Sequence, residues 1–177
     1  MVKTLKIVIA GEGAVGKSSF LNKVTNDKFN ETSEITRGID FFSAKVNLDV
    51  DGESYELVLW DFGGQIRFRE ILHDFVDGAS GAFLLFDMAR FNTLDKLEEW
   101  IEMLTKYAPI PILILGTKFD LVDHEIDSYF DEMLSKIVDA YDVIFDYLKV
   151  SSKTGYNVKK PFELLIHKLN DHKSSQS

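Results

Sequence analysis

The residues best equipped for chemistry are Gly11-Glu12-Gly13-Ala14-Val15-Gly16-Lys17-Ser18, which fit the pattern G-x-x-x-x-G-K-[ST]. They follow an apolar, β-branched run and precede a helix-like one. Glycines in such a turn let backbone N–H groups converge on phosphate oxygens, and the helix N-terminus adds a favourable dipole. The predicted cradle is Gly13, Ala14, Val15, Gly16, Lys17, Ser18 and Ser19. In it Lys17 reaches the β- and γ-phosphates, and the Ser18 hydroxyl ligates Mg²⁺.

Three further segments extend this chemistry. In Trp60-Asp61-Phe62-Gly63-Gly64-Gln65, at a strand end, Asp61 would hold Mg²⁺ through water and the Gly64 amide would meet a γ-phosphate. Gln65 is placed there to orient an attacking water, so Gln65, Lys17 and Gly64 are the candidate catalytic set. Thr117-Lys118-Phe119-Asp120 follows another strand. Its carboxylate, Asp120, can accept the N1–H and exocyclic amine of guanine while Lys118 lies along the base plane. Ser151-Ser152-Lys153 follows the last strand and closes the pocket through backbone N–H groups. Taken singly, Asp61–Gln65 and Thr117–Asp120 would read more readily as turns, the latter a solvated one with a Lys–Asp pair; behind a phosphate loop the odds reverse for Asp61–Gln65.

The elements that must position these residues alternate along the chain. Val2–Ala10, Phe41–Val50, Ser54–Trp60, Gly81–Phe86, Ile110–Leu115 and Tyr147–Val150 read as six strands. Asp51-Gly52 between the second and third is a strong hairpin signal. Helices are expected over Lys17–Thr25, Thr93–Tyr107, Ile126–Tyr141 and Val158–Leu169. The sum is an α/β fold: a six-stranded, mostly parallel sheet with one antiparallel strand and helices on both faces. Residues 1–170 make one domain, and Asp171–Ser177 reads as a short polar tail.

Composition narrows the function classes. The 177 residues carry 29 acidic and 20 basic side chains, net −9, which argues against a nonspecific nucleic-acid binder. Eight of those nine charges fall between Asp120 and Tyr147, where nine acidic residues face one lysine. That run reads as a solvated helix face, with a docking face for a basic partner as the alternative. There is no cysteine, so disulfides, thiolate metal sites and Cys-linked lipids are not expected. His73, His124, His167 and His172 show no metal-ligand spacing. No stretch approaches a membrane span, so the expectation is a cytoplasmic protein that meets membranes only through a partner, with no lipid anchor of its own.

With these motifs in order, the sequence resembles a Ras-superfamily small GTPase, a P-loop NTPase small G domain, over residues 4–170. Thr36-Arg37-Gly38-Ile39-Asp40-Phe41 is similar to the Rab pattern T-x-G-x-D-F. Trp60–Gln65 and the Thr-Lys-x-Asp base motif look closer to the fungal mitotic-exit and septation GTPases. The resemblance implies that Thr36 holds Mg²⁺ through its hydroxyl and the γ-phosphate through its backbone. It further implies that Phe29 packs edge-on against guanine, and that any side chain at Gly13 would crowd Gln65. The sequence departs from the family at Thr117, where Asn is usual, and at Gly63, Ser33 and Ser152. A hydroxyl at Thr117 spans less than a carboxamide, which bridges base and phosphate loop; if one of those hydrogen bonds is lost the cost is about 1 kcal/mol, which weakens binding several-fold without abolishing it.

The implied function is a molecular switch that binds GTP or GDP with Mg²⁺ and hydrolyses GTP. Its implied partners are an exchange factor, an activating protein and effectors. Arg67 and Arg69 read as solvated, and no built-in arginine finger is evident, so intrinsic hydrolysis should be slow. The departures keep open a constitutively GTP-loaded scaffold that barely hydrolyses. A P-loop enzyme acting on adenine nucleotides is disfavoured, because Asp120 would face the N1 lone pair.

Overall fold

A computed structural model describes residues 1–26, 35–37, 41–62, 72–106 and 108–174. At its centre lies β1 (Lys3–Ala10), whose Val-Ile-rich half is wholly buried. Such a continuous apolar run suits a strand covered on both faces. It is flanked in parallel by β4 (Glu53–Phe62) on one side and β5 (Gly81–Asp87) on the other. Beyond β5 come β6 (Ile112–Thr117) and β7 (Ile144–Lys149), both parallel. Beyond β4 comes β3 (Phe41–Val50), antiparallel to it, and β2 (Ile35–Arg37), antiparallel to β3.

The order is therefore β2-β3-β4-β1-β5-β6-β7. All six expected strands are present, β3 is the one that runs against the rest, and β2 adds a three-residue edge that no sequence pattern announced. The β3–β4 turn is the expected one: Asp51 and Gly52 both have positive φ, 53° and 79°, as a two-residue type I′ hairpin requires. The chain leaves β1 toward the β2–β4 side of the sheet and leaves β5 toward β6 on the other, so the loop after β1 sits at a topological switch point.

Strand alternation sorts the apolar side chains into two cores. Ile7 and Ile9 of β1 and Phe83 and Leu85 of β5 face α1 (Lys17–Asn26) and α6 (Lys160–Ser174). There Phe162 lies 5.9 Å from Phe20, stacked, and 5.1 Å from Phe83, edge-on. Val8, Ala10, Leu84 and Phe86 point the other way. They are covered by α2 (Leu72–Val76), α3 (Phe91–Leu94), α4 (Leu97–Thr105) and α5 (His124–Ala140).

Three differences from the sequence expectation have local causes. The single helix expected over Thr93–Tyr107 is split into α3 and α4. Thr93 turns its hydroxyl back to accept from the Asp87 amide at 2.9 Å, which pins a short first turn, and Lys96, at ψ −7°, breaks the helical run. Helix α5 begins two residues early because Asp123 caps it, its carboxylate accepting from the Ile126 amide at 2.9 Å. Helix α6 continues through Ser174, into the segment expected as a tail, since polar residues are well tolerated at a solvated helix end.

Candidate nucleotide-binding site

The loop after β1 is built on unusual backbone angles. Gly11 has φ 139°, Gly16 has φ 100°, and between them Ala14 sits at φ 59°, a left-handed conformation that costs an L-residue about 1 kcal/mol or more. Gly11 is further constrained by space: a Cβ there would lie 2.3 Å from the Leu85 carbonyl oxygen. At Gly13 a Cβ would meet nothing within 4 Å among the described residues. Gln65, which the sequence reading sets against Gly13, lies outside them.

Lys17 opens α1 and folds its side chain back over the loop. Its ammonium donates to the carbonyls of Gly11 at 2.8 Å and Glu12 at 2.7 Å, and the residue is buried. Burial pushes its pKa down, against the pull of Asp61 and Glu12. Asp61, near the end of β4, is likewise buried, and burial pushes its carboxyl up against Lys17 and the Ser18 hydroxyl. The Ser18 hydroxyl lies 3.4 Å from Asp61 Oδ2, while Oδ1, fully buried, has no hydrogen-bond partner among the described residues. A buried carboxylate oxygen without a donor is costly. It suits a site whose remaining positive charge comes from outside the chain. The donors are hard oxygens, the ligand type Mg²⁺ takes, so these residues fit the ion.

At the other end lies a pocket of about 280 Å³, lined by Gly16, Ser19, Thr117, Lys118, Asp120, Leu121, Ser152 and Lys153. All but Leu121 were picked out from the sequence, so three motifs far apart in the chain converge on one concavity. Lys118 takes a left-handed turn, φ 59°, that throws the chain into a short 3-10 turn over Phe119–Leu121. The two base loops are sewn together: the Phe119 amide donates to the Val150 carbonyl, and the Val150 amide to Gly116. Ser151, fully buried, donates its hydroxyl to Asp120 Oδ1 at 2.5 Å and so fixes the carboxylate at the pocket wall.

Of the two bonds that a carboxamide would make, to base and to phosphate loop, Thr117 makes the one to the loop. Its hydroxyl lies 2.5 Å from the Val15 carbonyl of the phosphate loop and 3.0 Å from that of Phe86. A hydroxyl reaches the loop because the residue is buried directly against it.

The structure also brings in residues that sequence reasoning missed. Asp87, wholly buried at the end of β5, accepts from Lys118 Nζ at 2.6 Å, Arg90 Nε at 2.8 Å and the Ala89 amide at 2.9 Å. Burial alone would raise its pKa; these donors outweigh it and hold the carboxyl below the ordinary range. Arg90 also reaches the Gly13 carbonyl through Nη2 at 3.1 Å. Trp100 donates from Nε1 to Glu12 Oε1 at 2.9 Å and packs edge-on against Phe62. A carboxylate closing the otherwise apolar run Gly81–Phe86 was the available signal for Asp87; nothing in the spacing pointed to Arg90 or Trp100.

Several predicted site residues are not brought together here. Phe29, Ser33, Gly63, Gly64, Gln65, Arg67 and Arg69 lie outside the described residues. Thr36 is placed only by its backbone, paired with Ser43 across β2 and β3.

Comparison with known proteins agrees with this architecture. The Ras family model matches residues 6–171. The Ras-related protein Rab-18 of Lymnaea stagnalis is 36% identical over 174 residues, covering 96% of this chain and 82% of the relative. Rab-18-B of Danio rerio is 35% identical over 173 residues, covering 96% and 80%. RABA5b of Arabidopsis thaliana is 30% identical over 166 residues, covering 93% and 74%. A phosphate loop at the sheet's switch point, a base-sized pocket beside it and a match across nearly the whole chain lead to one conclusion: this protein belongs to the Ras family of small GTPases.

Proposed function

We propose that this chain is a Mg²⁺-dependent switch that binds GTP and GDP and hydrolyses GTP slowly on its own. The observation that carries the reading is the physical join between two half-sites. Thr117 spans from the pocket that holds Asp120 to the Val15 carbonyl of the phosphate loop, so one ligand with a base at one end and phosphates at the other fits both. Asp120, fixed by Ser151, accepts the guanine N1–H and amine; Lys118 covers the base plane; Ser152 and Lys153 close the far wall. Phe29 would pack edge-on against the guanine. The loop from Gly13 to Ser19 surrounds the phosphates, and Lys17 transfers its ammonium from loop carbonyls to phosphate oxygens.

Ser18, Thr36 and, through water, Asp61 would hold Mg²⁺, which when bound neutralises charge on the β- and γ-phosphate oxygens. Gln65 orients the attacking water, and the Gly64 amide and Lys17 stabilise the transferred phosphoryl group. The γ-phosphate orders residues 30–40 and 62–75, giving effectors, an exchange factor and an activating protein a surface that changes with the nucleotide.

Two measurements test the proposal. ATP should fail to displace a fluorescent GTP analogue at concentrations where GTP does; comparable displacement would remove the guanine assignment. In single-turnover hydrolysis, Gln65→Leu should slow GTP cleavage by about tenfold or more. A wild-type rate in that variant would remove Gln65 from the mechanism.

A further inference from the structure

We infer that Arg90 is a positioning residue for the nucleotide's phosphate chain, acting through the Gly13–Ala14 peptide. The inference rests on the reading that this loop binds guanine nucleotide phosphates. The carbonyl of Gly13 and the amide of Ala14 belong to one planar trans peptide unit, so they point in opposite directions. Arg90 Nη2 donates to that carbonyl at 3.1 Å, so the Ala14 N–H is held pointing away from Arg90; on this inference it points at the phosphate oxygens. A cation on the carbonyl also polarises the peptide and strengthens the N–H as a donor. Support of this kind matters here because Ala14 holds a left-handed φ of 59° that no glycine relieves.

Arg90 is itself anchored. Its Nε is held by Asp87 Oδ2 at 2.8 Å, and the same carboxylate binds Lys118 of the base pocket at 2.6 Å. The planar guanidinium can satisfy a carboxylate with one edge and a carbonyl with another at the same time; an ammonium is a point donor without that fork. A second loop carbonyl is also held by a side chain: the Thr117 hydroxyl lies 2.5 Å from Val15 O, which fixes the Val15–Gly16 peptide. Side chains following β5 and ending β6 thus fix two peptides of a loop that follows β1. The alternative is that Arg90 merely pairs with Asp87 at the start of α3.

The two are separated by how the effect scales with phosphate number. Equilibrium displacement of a fluorescent GDP analogue by GMP, GDP and GTP would be measured at fixed Mg²⁺ for the wild type, Arg90→Ala and Arg90→Lys, with thermal melting alongside. Arg90→Ala should weaken GDP and GTP by about tenfold and GMP, which lacks the β-phosphate, by less than about twofold. Arg90→Lys, which keeps a cation beside Asp87 but not the fork, should show the same selective loss with a wild-type melting temperature. It serves as the deciding variant if Arg90→Ala does not fold. Equal weakening of GMP and GDP, or wild-type GDP binding in Arg90→Lys, would overturn the inference. A wild-type protein that binds no GDP would instead overturn the functional reading beneath it.

Discussion

At the residue scale, the structure changes the meaning of Thr117 most. A hydroxyl in place of a carboxamide offers one donor where the carboxamide offers a donor and an acceptor; burial and a short approach to Val15 commit it to the phosphate loop. The bridge is then a single hydroxyl with one proton, and removing that proton leaves the loop carbonyl unsupported. Thr117→Val, of nearly the same shape, should speed the release of a fluorescent GDP analogue about five- to tenfold, with little change in fold by circular dichroism. Unchanged release would show that the Val15 contact carries no binding energy. Asp120 and the Lys17–Ser18 pair were legible from residue type and spacing alone, because accepting a guanine edge and meeting phosphates with Mg²⁺ each demand particular atoms in a particular order.

At the scale of elements, Asp87 is the joint. It closes β5, holds the first turn of α3 through Arg90, and holds Lys118 where β6 gives way to the base loop. The carboxyl has a lowered pKa in the fold, so its contribution is fully present above the ordinary carboxylate range near pH 4 and is lost as pH falls through its depressed folded value. Asp87→Asn should therefore destabilise the protein by about 2–3 kcal/mol at neutral pH and flatten the acid limb of its stability curve, read by urea unfolding at several pH values. An acid limb identical to the wild type would mean that Asp87 is not ionised in the fold. This joint was hidden from the sequence because its three donors come from two loops on either side of a strand pair, and only the parallel pairing of β5 with β6 brings those loops together.

At the scale of the whole molecule, charge is distributed less simply than the sequence suggested. The acidic run from Asp120 to Tyr147 is not all solvated surface. Lys149, at the end of β7 and beyond the run, pairs with Asp127 and Asp131 of α5, and the Tyr147 hydroxyl donates to Asp131 as well. Burial alone would lower the Lys149 pKa; its two carboxylate partners more than reverse this. One side of α5 thus fastens the helix to the sheet edge. Lys149→Met should cost about 1–2 kcal/mol at low ionic strength, because two adjacent carboxylates lose their shared cation, and added salt should return part of it. A melting temperature insensitive to both would show the pairing to be incidental.

The sequence by itself determined every described strand but β2, the hairpin turn, the phosphate-loop motif and the identity of nearly every residue that lines the pocket. Each of these depends on local patterns: period-two burial, a pair of positive-φ turn residues, or a motif whose atoms are close along the chain. Only the tertiary structure decided what supports them. The Val15–Thr117, Gly13–Arg90 and Glu12–Trp100 contacts join residues separated by 102, 77 and 88 positions. No local propensity encodes such a distance; it is fixed by the strand order that sends β1 between β4 and β5 and gathers the loops at one edge.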